Sequence, residues 1–296
     1  MLPSAAALVE KLPRPLRRHR LMTAWMRLTG EDPLQLVRIR GDAFGYADMR
    51  DGFLRLIPID GDYDADFFRI ADALLAEGGD FLDVGANHGL LSFGLARSLA
   101  DRVRFHLFEP VPRLVAAIEK TRALYPAMQA HVIAAAITDD DGEVAFDVAE
   151  DQTGRSHIDP AGAFTTRCVK LDTYLRDHEI AGVALLKLDV EGYELSALRG
   201  ATQALRDRTI EAIYFEYFEK YLVRVGPPAD LIRFLSEAGY ETCLCRHFDL
   251  ENAGGATHTL RAGLPGHGLP LKPVRGSVLP AMTDLFAAPR EHLVAL

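Results

Sequence analysis

Cysteine, long apolar runs and secretion signals are scarce or missing in this sequence. Its 296 residues include three cysteines, Cys168, Cys243 and Cys245, too few and too scattered for a disulfide framework. No apolar run approaches the roughly 20 residues of a membrane-spanning helix. No apolar segment followed by a small-residue cleavage site marks a signal peptide. We therefore expect a soluble protein of the cytoplasm.

Positive charge is in the minority. The chain has 33 Lys and Arg residues against 42 Asp and Glu residues, which gives a formal net charge of -9. Phosphate backbones select basic surfaces, so we expect no nucleic-acid partner. Cys243 and Cys245 are spaced like a metal-binding pair but lie on a predicted strand with no third cysteine nearby. We expect them to pack in the core.

Residues 1–29 are the basic exception. Six Lys and Arg residues stand there against a single acid, Glu10, and large apolar residues recur at helical spacing. This pattern predicts an amphipathic segment, which either packs on its own domain or makes a weak contact with an anionic membrane surface or a partner. We prefer the first interpretation. The sequence gives no signal for an oligomeric state.

Strand-like and helix-like segments alternate along most of the chain. Short alternating runs within 35–60 predict strands, and the apolar spacing of 64–77 predicts a helix. From residue 81 to residue 245, strands and helices follow one another repeatedly. Such repetition implies an α/β fold, in which helices cover both faces of a doubly wound, mostly parallel sheet.

The carboxyl-terminal part departs from this alternation. Residues 251–284 are rich in Gly and Pro, and they predict a long loop. Residues 285–288 predict a last strand, which closes an antiparallel hairpin with the strand at 240–245. We therefore divide the chain into residues 1–60, which pack on the core, and a domain at residues 61–296.

A glycine-bearing turn follows the first strand of the alternating region. Asp83 ends that strand, and Gly85 and Gly89 lie in the turn before the next helix. The dinucleotide fingerprint Gly-x-Gly-x-x-Gly is absent, and an acid at this position repels phosphate. The turn therefore favours a nucleoside without phosphate, such as S-adenosylmethionine, and disfavours an NAD-dependent oxidoreductase.

Acidic residues end two further strands. Glu109 lies 26 residues after Asp83, an offset at which a carboxylate accepts hydrogen bonds from both ribose hydroxyls. In the apolar strand at 183–190, strand alternation places Asp189 and Glu191 on one face. Charges at a buried strand end are costly unless they are paired or used, and Lys187 is one group that neutralises them.

These blocks resemble the FkbM family of methyltransferases. The similarity covers roughly residues 60–245, and it is carried by residues 83–89, 108–110, 134–137, 141–143, 169–175 and 186–194. The resemblance implies a class I methyltransferase fold, which is Rossmann-like with a seven-stranded sheet, and methyl transfer to a hydroxyl oxygen. It also implies a cofactor, S-adenosylmethionine. By position, Glu109 would hold its ribose, Ala136 would lie near its adenine, and its methionine part would be surrounded by Asp83, Gly85, Asn87 and Gly89.

Methyl transfer to an alcohol needs a group that takes the proton. The candidates are Asp189, Glu191, Glu216, which ends another strand, and His157, which lies in a polar loop. The three carboxylates are also suited to a divalent cation, although we predict no metal. We expect a small-molecule or sugar acceptor. Methylation of nitrogen or of a protein, and a non-catalytic nucleoside-binding module, remain the alternatives.

Overall fold

The computed structural model describes residues 28, 30, 32–51, 54, 64–149, 152–253, 255–274 and 279–296. The basic amphipathic segment predicted at residues 1–29 lies almost wholly outside these residues, so its packing and contacts stay predictions. The domain boundary proposed at residue 60 also falls outside them. No helix among the described residues is long and apolar enough to cross a membrane.

Helices and strands alternate along the described chain. The helices are α1 (Ala65–Leu74), α2 (Leu90–Leu99), α3 (Pro112–Arg122), α4 (Leu171–Asp177), α5 (Glu194–Arg199), α6 (Thr202–Arg206), α7 (Glu219–Leu222), α8 (Ala229–Glu237) and α9 (His247–Asn252). The strands are β1 (Leu34–Arg40), β2 (Ala43–Asp48), β3 (Gly79–Val84), β4 (Val103–Phe108), β5 (Gln129–Ile133), β6 (Ala136–Ile137), β7 (Gly142–Asp147), β8 (His157–Ile158), β9 (Phe164–Val169), β10 (Leu185–Leu188), β11 (Ile213–Phe218), β12 (Tyr240–Leu244), β13 (His258–Leu260), β14 (Lys272–Pro273), β15 (Met282–Pro289) and β16 (Leu293–Ala295).

The central sheet has the order β14-β12-β15-β11-β10-β3-β4-β5. Strands β5, β4, β3, β10 and β11 are parallel to one another, and β15 runs antiparallel to both β11 and β12. This confirms the predicted doubly wound sheet with an antiparallel last hairpin, as in a class I methyltransferase. Seven of the strands are four to eight residues long, and β14 adds a two-residue strand at one edge.

Alternate residues of β3 face opposite apolar layers. Phe81 packs with Phe105 in one cluster, and Leu82 packs with Leu186 in the other. Both faces are covered, and each fully buried apolar side chain contributes roughly 1.5–3 kcal/mol to stability. Cys243 is fully buried in the first of these clusters, as the sequence predicted for it.

Strands β1 and β2 form an antiparallel pair that packs on α2 and α3. Ile39 and Ala47 belong to the first apolar cluster. The backbone N–H groups of Phe44 and Tyr46 donate to side-chain oxygens of Tyr125 and Thr121 at 2.7 and 2.9 Å. These contacts satisfy backbone donors that an edge strand leaves open. The pair is thus fixed beside α2, the helix that begins directly after Gly89.

The region predicted as a long loop contains short strands. Within residues 251–284, β13 and β14 are three and two residues long, and His258 and Leu271 form an isolated bridge. Segments this short carry no readable periodicity, which explains why the sequence did not reveal them. The strand predicted at 285–288 extends over Met282–Pro289, and it is not the last one, because β16 follows at Leu293–Ala295.

Candidate active site

A cavity of about 300 Å³ opens at the carboxyl end of the sheet. The chain order reverses between β3 and β10, and ligands of doubly wound sheets bind outside such a reversal point. Seven of the ten site residues predicted from the sequence line this cavity: Gly85, Asn87, Glu109, Ala136, Asp189, Glu191 and Glu216. The lining does not include Asp83, Gly89 or His157.

The loop between β3 and α2 is shaped by left-handed backbone conformations. Gly85 has φ +78°, and a Cβ at this position would lie 1.9 Å from the carbonyl oxygen of Asp189. Gly89, with φ +70°, precedes α2, and its Cβ would lie 2.9 Å from the Phe93 ring. Asn87 between them has φ 53°, a conformation that Asn tolerates better than most residues. The loop thus needs glycine because the backbones after β3 and β10 nearly touch.

The substitution G85A is expected to destabilise the protein by about 2–4 kcal/mol, because the added methyl group collides with backbone rather than with a flexible side chain. Gly263 provides a matched control. Its φ is +86° and nothing lies within 4 Å of its Cβ position, so G263A carries only the backbone strain. Urea denaturation of both variants measures the difference. Equal losses of stability would contradict the close approach at Gly85.

Glu109 places a buried carboxylate on the cavity wall. Its side chain is 4% exposed, and its two oxygens accept hydrogen bonds from the backbone N–H groups of Asn87 and Val111, both at 2.9 Å. Burial raises the pKa of Glu109 to about 8, and the two hydrogen bonds oppose that shift. Each carboxylate oxygen has a second lone pair, so the group can still accept hydrogen bonds from a ligand with two adjacent hydroxyls.

Asp83 lies behind the cavity wall. Its carboxylate is 1% exposed, accepts a hydrogen bond from Ser92 Oγ at 2.7 Å, and lies 3.2 Å from Lys187 Nζ. Lys187 in turn donates to the carbonyl oxygen of Gly85 at 2.9 Å and lies 3.5 Å from Asp189 Oδ2. Asp83 therefore holds the lysine that connects the two loops. A direct contact between Asp83 and the cofactor stays a prediction.

Three carboxylates converge on the adjoining wall, beside the Gly85 loop. Oxygen atoms of Asp189, Glu191 and Glu216 all lie within 4.8 Å of one another. Burial raises the pKa of Glu191 to about 9 and that of Glu216 to about 8, and the nearby Asp189 charge raises both further. Such groups can accept a proton, attract a cationic ligand or bind a divalent cation.

A turn, and not strand alternation, brings Asp189 and Glu191 together. Strand β10 ends at Leu188, and Glu191 adopts a left-handed φ of 55°. The buried carboxylate of Glu194 holds this turn, because its Oε1 accepts hydrogen bonds from the backbone N–H groups of Val190 and Gly192 at 3.0 and 3.2 Å. The sequence therefore predicted the juxtaposition correctly, but for the wrong geometric reason.

The ligand-free protein is expected to lose stability as the pH rises from 7 to 9. The folded-state pKa values of Glu191 and Glu216, about 9 and 8, lie far above the ordinary value of 4.5. A group with a raised folded-state pKa stabilises most below its unfolded-state pKa, and this stability is lost as the pH rises through the folded-state value. Thermal unfolding of wild type and of the E191Q/E216Q double variant measures the effect. The double variant should show a smaller decline, and identical declines would contradict the assignment.

His157 and Ala136 differ in their placement. His157 lies on β8, its Nδ1 is 3.0 Å from the carbonyl oxygen of Arg155, and it is absent from the cavity lining. The structure does not bring it to the three carboxylates. Ala136 does line the cavity, in an apolar wall together with Ala135, Ile137, Phe108, Phe146 and Ile158. This wall has the flat apolar character that an adenine ring requires.

Three polar residues near Asn87 carry no signal in the sequence that points to a role in the site. His88 is 1% exposed and places its Nδ1 2.6 Å from Asn87 Oδ1. Thr153 Oγ1 lies 3.1 Å from the same oxygen and donates to Asp51 Oδ2 at 2.6 Å. Asp51 and Thr153 are distant from residue 87 along the chain, so only the folded structure shows that they meet there.

The family model of the methyltransferase FkbM domain matches residues 83–242. None of the curated proteins searched matches the chain. Solved structures with a similar course of the chain include methyltransferase FkbM from Methylobacillus flagellatus KT, with 16% identity, TM-score 0.41 and coverage of 96% of this chain and 58% of that one. Another is a SAM-dependent O-methyltransferase from Thermotoga maritima, with 14% identity, TM-score 0.41 and coverage of 89% and 80%.

Proposed function

Because this chain belongs to the FkbM methyltransferase family, we propose that it transfers a methyl group from S-adenosylmethionine to a hydroxyl oxygen of a small molecule or sugar. One observation carries the proposal. A single cavity is lined by the Gly85 loop and the buried Glu109 carboxylate on one wall and by the three converging carboxylates on the adjoining wall. This arrangement supplies a nucleoside site and a proton acceptor side by side.

The first wall suits the cofactor. Glu109 would accept hydrogen bonds from the ribose hydroxyls, the apolar wall around Ala136 would contact the adenine, and the loop of Gly85 and Asn87 would enclose the methionine part. The crowded backbone at Gly85 and the acid at Glu109 leave no phosphate cradle. When bound, the cofactor supplies an electrophilic methyl group on a positively charged sulfur.

The second wall suits the acceptor. With the cofactor bound, Glu191 or Glu216 in its ionised form would take the proton that the acceptor hydroxyl releases when it is methylated. Their pKa values of about 9 and 8 make both carboxylates strong bases for this residue type. Asp189, 3.5 Å from Lys187 Nζ, adds a negative charge that raises both pKa values. The positive charge of Lys187 partly neutralises the negative charge of this wall.

An amine acceptor is the second candidate function. In their ionised form the same carboxylates would attract a cationic amine and take its proton before transfer, so the charge of this wall alone does not select oxygen over nitrogen. A turnover assay that detects released S-adenosylhomocysteine, run against hydroxyl compounds, sugars, amines and basic proteins, separates the two. Turnover with amines or proteins and none with alcohols or sugars would reject the hydroxyl assignment. Cofactor binding without turnover on any acceptor class would favour a non-catalytic module.

The substitution E109Q is expected to weaken binding of S-adenosylhomocysteine about 10–100-fold, because the NH₂ group of glutamine would face one of the two backbone N–H groups that the Glu109 oxygens accept, and the ribose would lose an acceptor. Isothermal titration calorimetry measures this affinity, with E143Q as a control, since Glu143 is exposed on β7 and outside the cavity lining. Titration of NAD under the same conditions tests the oxidoreductase alternative. Tight NAD binding without S-adenosylhomocysteine binding by the wild type would overturn the proposed function.

A further inference from the structure

His88 is buried between the cofactor loop and strand β2. Its Nε2 accepts a hydrogen bond from the backbone N–H of Asp48 at 3.2 Å, and its Nδ1 lies 2.6 Å from Asn87 Oδ1. Burial lowers the pKa of His88 to about 4, against the opposing charges of Asp51 and Asp48. The imidazole is therefore neutral at physiological pH and carries a single N–H group.

The contacts of His88 determine where its proton lies. A backbone N–H can only donate, so Nε2 must be the unprotonated nitrogen that accepts from Asp48. The proton consequently lies on Nδ1, which donates to Asn87. This tautomer requires the oxygen of the Asn87 amide, and not its NH₂ group, to face the histidine. A flipped amide would set an N–H group against another N–H group at 2.6 Å.

Fixing the oxygen of Asn87 also fixes its nitrogen. Nδ2 lies 3.7 Å from the Cβ position of Gly154, and both Asn87 and Gly154 line the cavity. The backbone N–H of Asn87 is held separately by Glu109 Oε2 at 2.9 Å. The residue is thus anchored at its backbone and at its amide oxygen, which leaves its NH₂ donors for the cavity.

We propose that His88 is a positioning residue, which orients the Asn87 amide so that its NH₂ group donates to the carboxylate of the cofactor's methionine part. The inference rests on the proposed function, because it takes S-adenosylmethionine as the ligand of the cavity. It also gives β2 a role in the site. Asp48 lies outside the family match at residues 83–242, yet its backbone N–H sets the tautomer that orients Asn87.

Two isosteric substitutions separate the two ends of the imidazole. In H88N the amide nitrogen takes the place of Nδ1 and keeps the donor to Asn87, but the acceptor for the Asp48 N–H is lost. In H88Q the amide oxygen takes the place of Nε2 and keeps that acceptor, but the donor to Asn87 is lost. H88N is therefore expected to lower the thermal unfolding temperature more than H88Q does. H88Q is expected to disturb the contact between Asn87 and the cofactor more than H88N does.

The readout is the ratio of two affinities measured by calorimetry. S-adenosylhomocysteine carries the methionine-derived carboxylate, whereas 5′-methylthioadenosine has the same nucleoside without it. H88Q is expected to weaken S-adenosylhomocysteine about tenfold or more while changing 5′-methylthioadenosine less than threefold, since one hydrogen bond to a charged group is lost. H88N is expected to leave the ratio of the two affinities within about threefold of wild type. A general loss of packing would weaken both ligands together.

Asn87→Gly is the complementary variant, because it removes the amide itself and glycine tolerates the φ of 53° at this position. N87G should lower the ratio of the S-adenosylhomocysteine affinity to the 5′-methylthioadenosine affinity as much as H88Q does. The double variant N87G/H88Q should lower this ratio no further, since both changes remove the same interaction. An unchanged ratio in H88Q, or additive losses in the double variant, would overturn the role of His88. Wild-type protein that binds neither nucleoside would instead overturn the proposed function.

Discussion

Replacing Lys187 with methionine is expected to lower the free energy of unfolding by about 3–5 kcal/mol, the usual cost of leaving one partner of a buried ion pair alone. Lys187 is 3% exposed, and its ammonium group lies 3.2 Å from the equally buried carboxylate of Asp83. It also donates to the carbonyl oxygen of Gly85. Without the ammonium group, the carboxylate of Asp83 keeps the hydrogen bond from Ser92, and no other cation among the described residues forms an ion pair with it.

The loss of stability in K187M can be tested with a matched control variant and with a double variant that should partly restore stability. Lys170→Met removes a lysine whose ammonium group is 3.8 Å from Asp141 with both side chains substantially exposed, so a change within about 1 kcal/mol is expected. In the double variant K187M/D83N, the unpaired charge is gone and the protein should be more stable than K187M alone. Urea denaturation measures all three. A K187M variant within 1 kcal/mol of wild type would show that the pair is not buried as described.

The substitutions E191Q and E216Q are expected to separate catalysis from binding. Removing the proton acceptor should lower kcat by about 10²–10⁴-fold, whereas removing its neighbour should have a smaller effect. Binding of S-adenosylhomocysteine should change little in either variant, since the proposed cofactor contacts are made by Glu109, Asn87 and the Gly85 loop and not by these two side chains. E219Q is the control, because Glu219 is exposed on α7. Two variants that both keep more than half of the wild-type kcat would exclude these residues as the base.

The pH profile of the wild type should identify the same group. A carboxylate with a pKa of about 8 or 9 is mostly protonated at pH 7, so the rate should rise with pH until the base is fully ionised. The rising limb should disappear in the variant that lacks the base and persist in the other. A rate independent of pH between 6 and 9 would contradict proton transfer to either residue.

The sheet and the strand-end acids could be predicted because each depends on a local pattern. The apolar run before Asp83 predicts a buried parallel strand, and the glycines after it predict a turn that closely approaches another backbone. Glu109 and Glu216 were found because parallel strands end at the same edge of a sheet, and the cavity lies at that edge. The pairing of β12 with β15 followed from two strand-like segments that flank a Gly- and Pro-rich stretch.

The rest of the candidate site depends on contacts between distant parts of the chain, which no local sequence pattern encodes. Period-two alternation predicts which face of β3 Asp83 occupies, but not whether the cavity or Lys187 lies above it. His157 was a candidate because polar loops often cover sites, yet its position is set by pairing between β7 and β8. His88 carries no sequence signal at all, since its tautomer is set by a backbone group 40 residues earlier.

The place of β15 in the sheet has a consequence for the order in which the chain can fold. This strand, Met282–Pro289, lies between β11 and β12, although both precede it by at least 38 residues. During synthesis, β11 and β12 therefore emerge with unpaired edges, which favour aggregation until the missing strand arrives. Ribosome-bound chains stopped before residue 282 should accordingly stay protease-sensitive throughout β12, whereas chains that expose residue 289 should become resistant.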